Sequence, residues 1–248
     1  MPDRQFTRRM FLISSTSCMA MIGTLADARA DVYHGALPWS PGQDHAPVPV
    51  TGTGWTWFTK TEAETIEALV DRLIPEDELS PGGKEIGIAV YIDRQLSGPF
   101  GQDKGLYMAP PFAEGLPGQG LQSPVTPAER YRKSIAALNR YCADAYFGKS
   151  FAGIGSAEQD KIIVKMESGT LDLKGPSSKA FFQLLWQNAK EGFFADPVYG
   201  GNRGMAGWKM IGFPGARYNY LDWVEHHNEH YPKPPVGIES HPDWTAHS

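Results

Sequence analysis

The chain has 248 residues and a formal net charge of −5, with 41% hydrophobic and 21% charged residues. That is enough for one large domain or two small ones with a real core, in globular proportions. An acidic chain without a basic run lacks the electrostatic footprint of a nucleic-acid or anionic-lipid binder, and 12% aromatic residues suit a chain that meets another.

Residues 1–30 read as a targeting segment. Arg8 and Arg9, in Thr7-Arg8-Arg9-Met10-Phe11-Leu12, fit a twin-arginine pattern. The apolar run 11–25 is short for a bilayer span, and Ala28-Arg29-Ala30 offers the small residues of a cleavage site. Cys18 does not make a lipoprotein leader, because Ser15 stands where a lipobox needs leucine. Cleavage after Ala30 removes four arginines and two aspartates, taking the net charge from −5 to −7, and leaves Cys142 as the remaining cysteine of two. One cysteine in an exported chain allows no internal disulfide, CxxCH haem attachment or cysteine-ligated cluster. Cys142 falls in a helical pattern. A buried small hydrophobe is its plain reading and a bridge to a partner chain the sharper one.

Residues 31–54 carry Pro38, Pro41, Pro47 and Pro49 with no period, as an extended arm does. Helical signals then follow in order. Thr59-Lys60-Thr61-Glu62 offers a capping box, and Ile66, Leu69, Val70 and Leu73 share a face, predicting a helix over 58–74 that Pro75 ends. A second is predicted over 85–96, with Ile86, Val90, Ile92 and Leu96 inward. The irregular stretch 98–125 is too apolar for a free linker. Phe100, Tyr107 and Phe112 mark it as a docking loop for another chain, with a loop packed on its own core as the alternative. Thr126, Pro127 and Glu129 start a third helix whose core face is Tyr131, Ile135, Leu138, Cys142 and Ala145. A fourth opens at Ser156, buries Ile162, Ile163 and Met166, and stops near Gly169. The fifth spans 177–194 with Phe181, Leu184, Leu185 and Trp186. No alternation reads as a strand and no repeat appears. The class is mainly α: about five helices with long irregular Gly/Pro-rich segments and no substantial sheet. The organisation is leader 1–30, arm 31–54, helical domain 55–231 and a Pro/His-rich tail 232–248.

The fifth helix runs into Glu191–Gly215, where seven glycines and two prolines are interleaved with Phe, Tyr, Trp, Met and Ile. Such a segment buries backbone closely, against its own core or against another chain. Asn202 and Arg203 are its most pointed polar pair: Arg203 suits a partner carboxylate, or equally the carbonyls of its own loop.

Catalytic motifs are sparse. No GxGxxG follows a strand, Gly148-Lys149-Ser150 lacks the upstream glycine of a phosphate loop, and Gly153-Ile154-Gly155-Ser156 is no nucleophile elbow. His226-His227-Asn228-Glu229-His230 matches HxxEH, which places two imidazoles one helical turn apart beside a glutamate. The third ligand would have to come from Glu239 or Asp243 in the proline-rich tail, so a solvated helix end is the plainer reading.

Asp196-Pro197, Gly200-Gly201-Asn202-Arg203 and Gly207-Trp208 stand in an order and spacing that resembles the signature of gluconate 2-dehydrogenase subunit 3, the small subunit of membrane-bound flavin-dependent sugar and polyol dehydrogenases. The similarity runs from about Phe58 to about Tyr220. The resemblance implies a non-catalytic helper subunit and does not imply that this chain holds the flavin; with the motifs above, no cofactor or metal is expected in it. It implies a large FAD-dependent partner of the glucose–methanol–choline type, and a multihaem cytochrome c third subunit that passes electrons to quinone. Asp196, Asn202, Arg203 and Trp208 would then shape the subunit or its contact surface. The leader points the same way without the resemblance. Twin-arginine export carries folded proteins, typically cofactor-loaded, yet this chain shows no cofactor motif. It therefore escorts a partner that has one, into the periplasm and to the membrane only through the complex. The rival readings are a stand-alone periplasmic zinc hydrolase using HxxEH and a periplasmic binding or scaffold protein.

Overall fold

The computed structural model describes residues 54–104, 112, 116, 123–217, 220, 221 and 223–238. Arg8, Arg9, Ala28, Ala30, the arm through residue 53, Tyr107, Glu239 and Asp243 lie outside the described residues.

Helix α1, Lys60–Leu73, begins with the capping box its sequence encodes. Glu62 N donates to Thr59 Oγ1 at 3.4 Å while Thr59 N donates to Glu62 Oε2 at 2.9 Å. Ala63, Ile66, Leu69 and Val70 put one stripe into the core, and Pro75 prevents continuation. Helix α2 is Ile88–Ser97, three residues shorter at its start than the periodicity predicts. Gly87 takes φ +85°, so the chain before it runs in turns, although Ile86 is still buried. Val90, expected inside, is only half-buried.

Asp93 sits on α2 with no exposed surface and accepts amide hydrogens from Thr56 (2.8 Å), Trp57 (2.9 Å) and Phe58 (2.8 Å). It pins the entry of the chain onto the helical body and also meets Arg94. A turn at Phe100–Gln102 lies against α2 and the next helix and packs the half-buried Phe100 ring on the core. Phe112 is half-buried too, so the described part of the expected docking loop gives no exposed aromatic.

Helix α3, Pro127–Ala145, starts at Thr126, whose hydroxyl accepts from Glu129 N at 3.3 Å; the Glu129 carboxylate turns to Lys133. Tyr131, Ile135, Leu138 and Cys142 have no exposed surface. Ala145 is exposed instead of buried, because the last turn of α3 passes beyond the core. Cys142 belongs to the core cluster, which removes it from reach of a partner chain. Helix α4, Ser156–Ser168, stops at Gly169 in the left-handed conformation.

Helix α5, Ser178–Phe194, is the hub: α1, α2, α3 and α4 all pack on it. Its buried stripe of Phe181, Leu185, Ala189 and Phe193 fills the centre, with the Phe181 and Tyr131 rings edge to face at 5.4 Å. The short α6, Ala206–Ile211, follows on the segment after α5. Among the described residues the fold is thus helical without a strand, as its class predicts. The one bridge there is a parallel contact between Gly215 and Val236.

Candidate functional site

A helix ends with unpaired carbonyl groups, and α5 ends partly inside the protein, so those groups need donors. The segment after α5 supplies them from side chains. Asn202, fully buried at φ +45°, donates from Nδ2 to Ala195 O at 2.8 Å and accepts from Gly207 N at 2.9 Å. Trp208 Nε1 donates to Phe194 O at 2.8 Å, with its ring buried. Asp196 closes both sides of the loop. Its Oδ1 accepts from Val198 N at 3.0 Å, capping the turn Pro197–Tyr199, and its Oδ2 accepts from Ile238 N at 2.8 Å. Residues 236–238 are thereby drawn back to the segment, where Ala216 N also bonds Val236 O at 2.7 Å.

Two glycines make this closure sterically possible. A Cβ on Gly201 would stand 2.2 Å from Gly192 O, and one on Gly207 2.3 Å from Phe193 O. Neither position has room for any side chain. Gly192 in turn lies on the Tyr91 ring, whose hydroxyl is pushed up to about 12 by burial and by the neighbouring Glu191 carboxylate. Glu191 is held by Asn188 Nδ2 at 3.0 Å and Gln187 Nε2 at 2.8 Å. Asp196, Asn202 and Trp208 therefore serve to hold backbone.

With Asn202 turned in and Asp196 committed to backbone amides, several large apolar side chains of the same segment turn out. Phe194, Tyr199, Met210 and Phe213 are each about two-fifths exposed (41, 40, 38 and 43%), and Ile211 reaches 57%. The Phe213 ring stands edge-on to Trp208 at 5.2 Å, so this outer face rests on a fixed buried layer. A folded surface rarely gathers so many large apolar side chains on one short run unless something covers them.

Of the residues expected to form the site, the structure brings Asp196, Asn202 and Trp208 together as the inner scaffold. Arg203 stays at the surface: its amide donates to Ile86 O at 3.0 Å, and its guanidinium finds no carbonyl or carboxylate among the described residues. Phe100 and Phe112 lie elsewhere. Sequence reasoning missed the outward set of Tyr199, Met210, Ile211 and Phe213. Their signal was present as apolar residues placed between glycines, without the information on which would face inward.

Residues 60–215 match the family model of gluconate 2-dehydrogenase subunit 3. The chain belongs to that family. It is a small subunit of gluconate 2-dehydrogenase-type complexes, and the match covers nearly all of the span 58–220 over which the resemblance was drawn. Comparison with curated proteins and with solved structures gave no match. The subunit 3 match ends at Gly215, so the histidine group lies beyond it.

That group does not form the helix end its spacing suggests. Residues 223–230 run as turns, the His226 ring stacks on Trp223 at 4.1 Å, and its Nδ1 faces Glu229 Oε2 at 3.0 Å. Without a helix, His226 and His230 are not set one turn apart on a common face. No group of three or more His, Cys, Asp or Glu residues able to hold a metal occurs among the described residues.

Proposed function

We propose that this subunit 3 chain is non-catalytic. It binds a large FAD-dependent sugar, sugar-acid or polyol dehydrogenase subunit, helps it mature and escorts it through the twin-arginine pathway to the periplasm. There the complex passes electrons to a multihaem cytochrome c subunit at the membrane. One observation carries the docking role. Asp196, Asn202 and Trp208 of the family signature are committed to holding the end of α5 and the loop after it, while Phe194, Tyr199, Met210, Ile211 and Phe213 of the same segment face outward on that base. A catalytic segment needs free polar groups, whereas a docking segment needs a firm apolar face. An obligate interface of this kind covers on the order of 2,000 Å² or more.

The test is affinity purification of the tagged full-length chain from its native host, with a visible spectrum of the eluate. A stoichiometric, larger yellow partner is expected. The double variant Ile211→Ser, Phe213→Ser should keep the fold, because both side chains are exposed, and lose that partner. A colourless chain that elutes alone, or a double variant that retains its partner, overturns the reading.

A further inference from the structure

A cleft of about 470 Å³ opens beside the apolar face, lined by Trp55, Glu67, Lys84, Gly87, Pro197 and Arg203 among others. Arg203 leans over bare backbone there: a Cβ on Gly87 would stand 2.7 Å from its Nε. The backbone beneath it is anchored by the bond from Arg203 N to Ile86 O, the side chain is exposed, and no carboxylate among the described residues meets the guanidinium. The carboxylates of its own segment are already occupied, Glu191 by Asn188 and Gln187, and Asp196 by the amides of Val198 and Ile238. Lys84 Nζ lies on the same cleft and shares Glu67 at 3.1 Å.

A planar, charged fork on an anchored backbone, with no carboxylate partner among the described residues, is matched by a carboxylate, which it grips with two parallel bonds. Glu67 weighs against a doubly charged phosphate in the same space. We infer that this cleft receives a carboxylate of the larger subunit, an Asp or Glu side chain or the chain terminus, gripped by Arg203 with Lys84 beside it. The inference rests on the docking reading above and adds its polar anchor. The apolar face supplies area, and the Arg203 cleft sets which acidic segment docks and in what register.

The experiment measures re-association of the full-length chain with its purified partner subunit, for wild type, Arg203→Gln, Arg203→Lys and Lys84→Gln, across a range of NaCl concentrations. Arg203→Gln should weaken binding by about 10- to 100-fold, the range for a hydrogen-bonded charged group. It should also flatten the salt dependence. Arg203→Lys should recover part of the affinity, and Lys84→Gln should lose less than Arg203→Gln. Thermal melting of the isolated chain should not move in any of them. If Arg203→Gln binds as wild type does, with the same salt dependence, the carboxylate anchor is overturned and the docking reading stands. If Arg203→Gln lowers the melting temperature and leaves affinity unchanged, the guanidinium serves the chain's own fold or its acidic arm around Asp44, and the anchor is again overturned. If the wild-type chain binds no flavoprotein, both readings fall together.

Discussion

Asn202 concentrates the reasoning about the site, so its removal is the sharpest test of it. Asn202→Ala deletes the donor to Ala195 O and the acceptor for Gly207 N, two bonds of 2.8 and 2.9 Å. Gly207 is buried, so its amide cannot turn to water, whereas Ala195 is half-buried and its carbonyl can be partly rehydrated. One stranded buried group and one weakened one cost about 2–3 kcal/mol. The backbone at φ +45° adds about 1 kcal/mol for a residue with a Cβ and no local hydrogen bond. Asn202→Ala should therefore cost about 3–4 kcal/mol, and Asn202→Gly about 1 kcal/mol less, because only the conformational part is relieved. Urea denaturation of the full-length chain measures both, and hydrogen exchange reads the Gly207 amide directly: protected in wild type, rapidly exchanging in either variant. A loss below about 0.5 kcal/mol for Asn202→Ala would place it within ordinary surface scatter. A Gly207 amide that stays protected would likewise refute the claim that this side chain closes the end of α5, and equal losses for Ala and Gly would refute the conformational part.

Three further outcomes follow from the helical body. Asp93→Ala should destabilise by about 3 kcal/mol or more, because the buried Phe58 amide loses its acceptor; Asp93→Asn should cost less, and proteolysis near residues 54–58 should rise in both. Burial pushes the Cys142 thiol up to about 11, so in a Cys18→Ser chain Ellman's reagent at pH 8 should label it only after denaturant is added; fast labelling of that native protein would contradict its place in the core. Glu62 is disfavoured as a charge by burial, yet the Thr59 amide, Arg132 and the Thr59 hydroxyl outweigh that and hold its carboxyl below its ordinary value of 4.5. A lowered folded value means its stabilising contribution is full above pH 4.5 and is lost as pH falls through the folded value. Glu62→Gln should accordingly flatten that part of the acid limb, seen by melting temperature against pH.

What could be read in the sequence was what is decided locally. The Thr59 and Thr126 caps and the stripes of α1 and α3 need nothing beyond their own turns, and they formed where the spacing placed them. Departures arise where a distant contact decides. Helix α2 starts late because Gly87 meets Gly200 O, against which a Cβ would stand at 2.6 Å, more than a hundred positions away in the chain. Asp93 is a polar residue on an apolar helix, and nothing near it in sequence announces that the amides of residues 56–58 will arrive. The histidine group had the right spacing for a helix face but no helix to carry it. The segment after α5 combines both cases. Its glycines correctly signalled close backbone approach, but which side chains go in depends on where the carbonyls of Phe194 and Ala195 point. Since Trp208 and Asn202 answer those carbonyls, Met210, Ile211 and Phe213 are left outside. The segment thus keeps Asn202 inside and shows large apolar side chains outside, and this arrangement favours binding. A loop held by its own polar side chains does not have to order itself when a partner arrives, so less conformational entropy is lost on docking and more of its apolar area counts toward affinity.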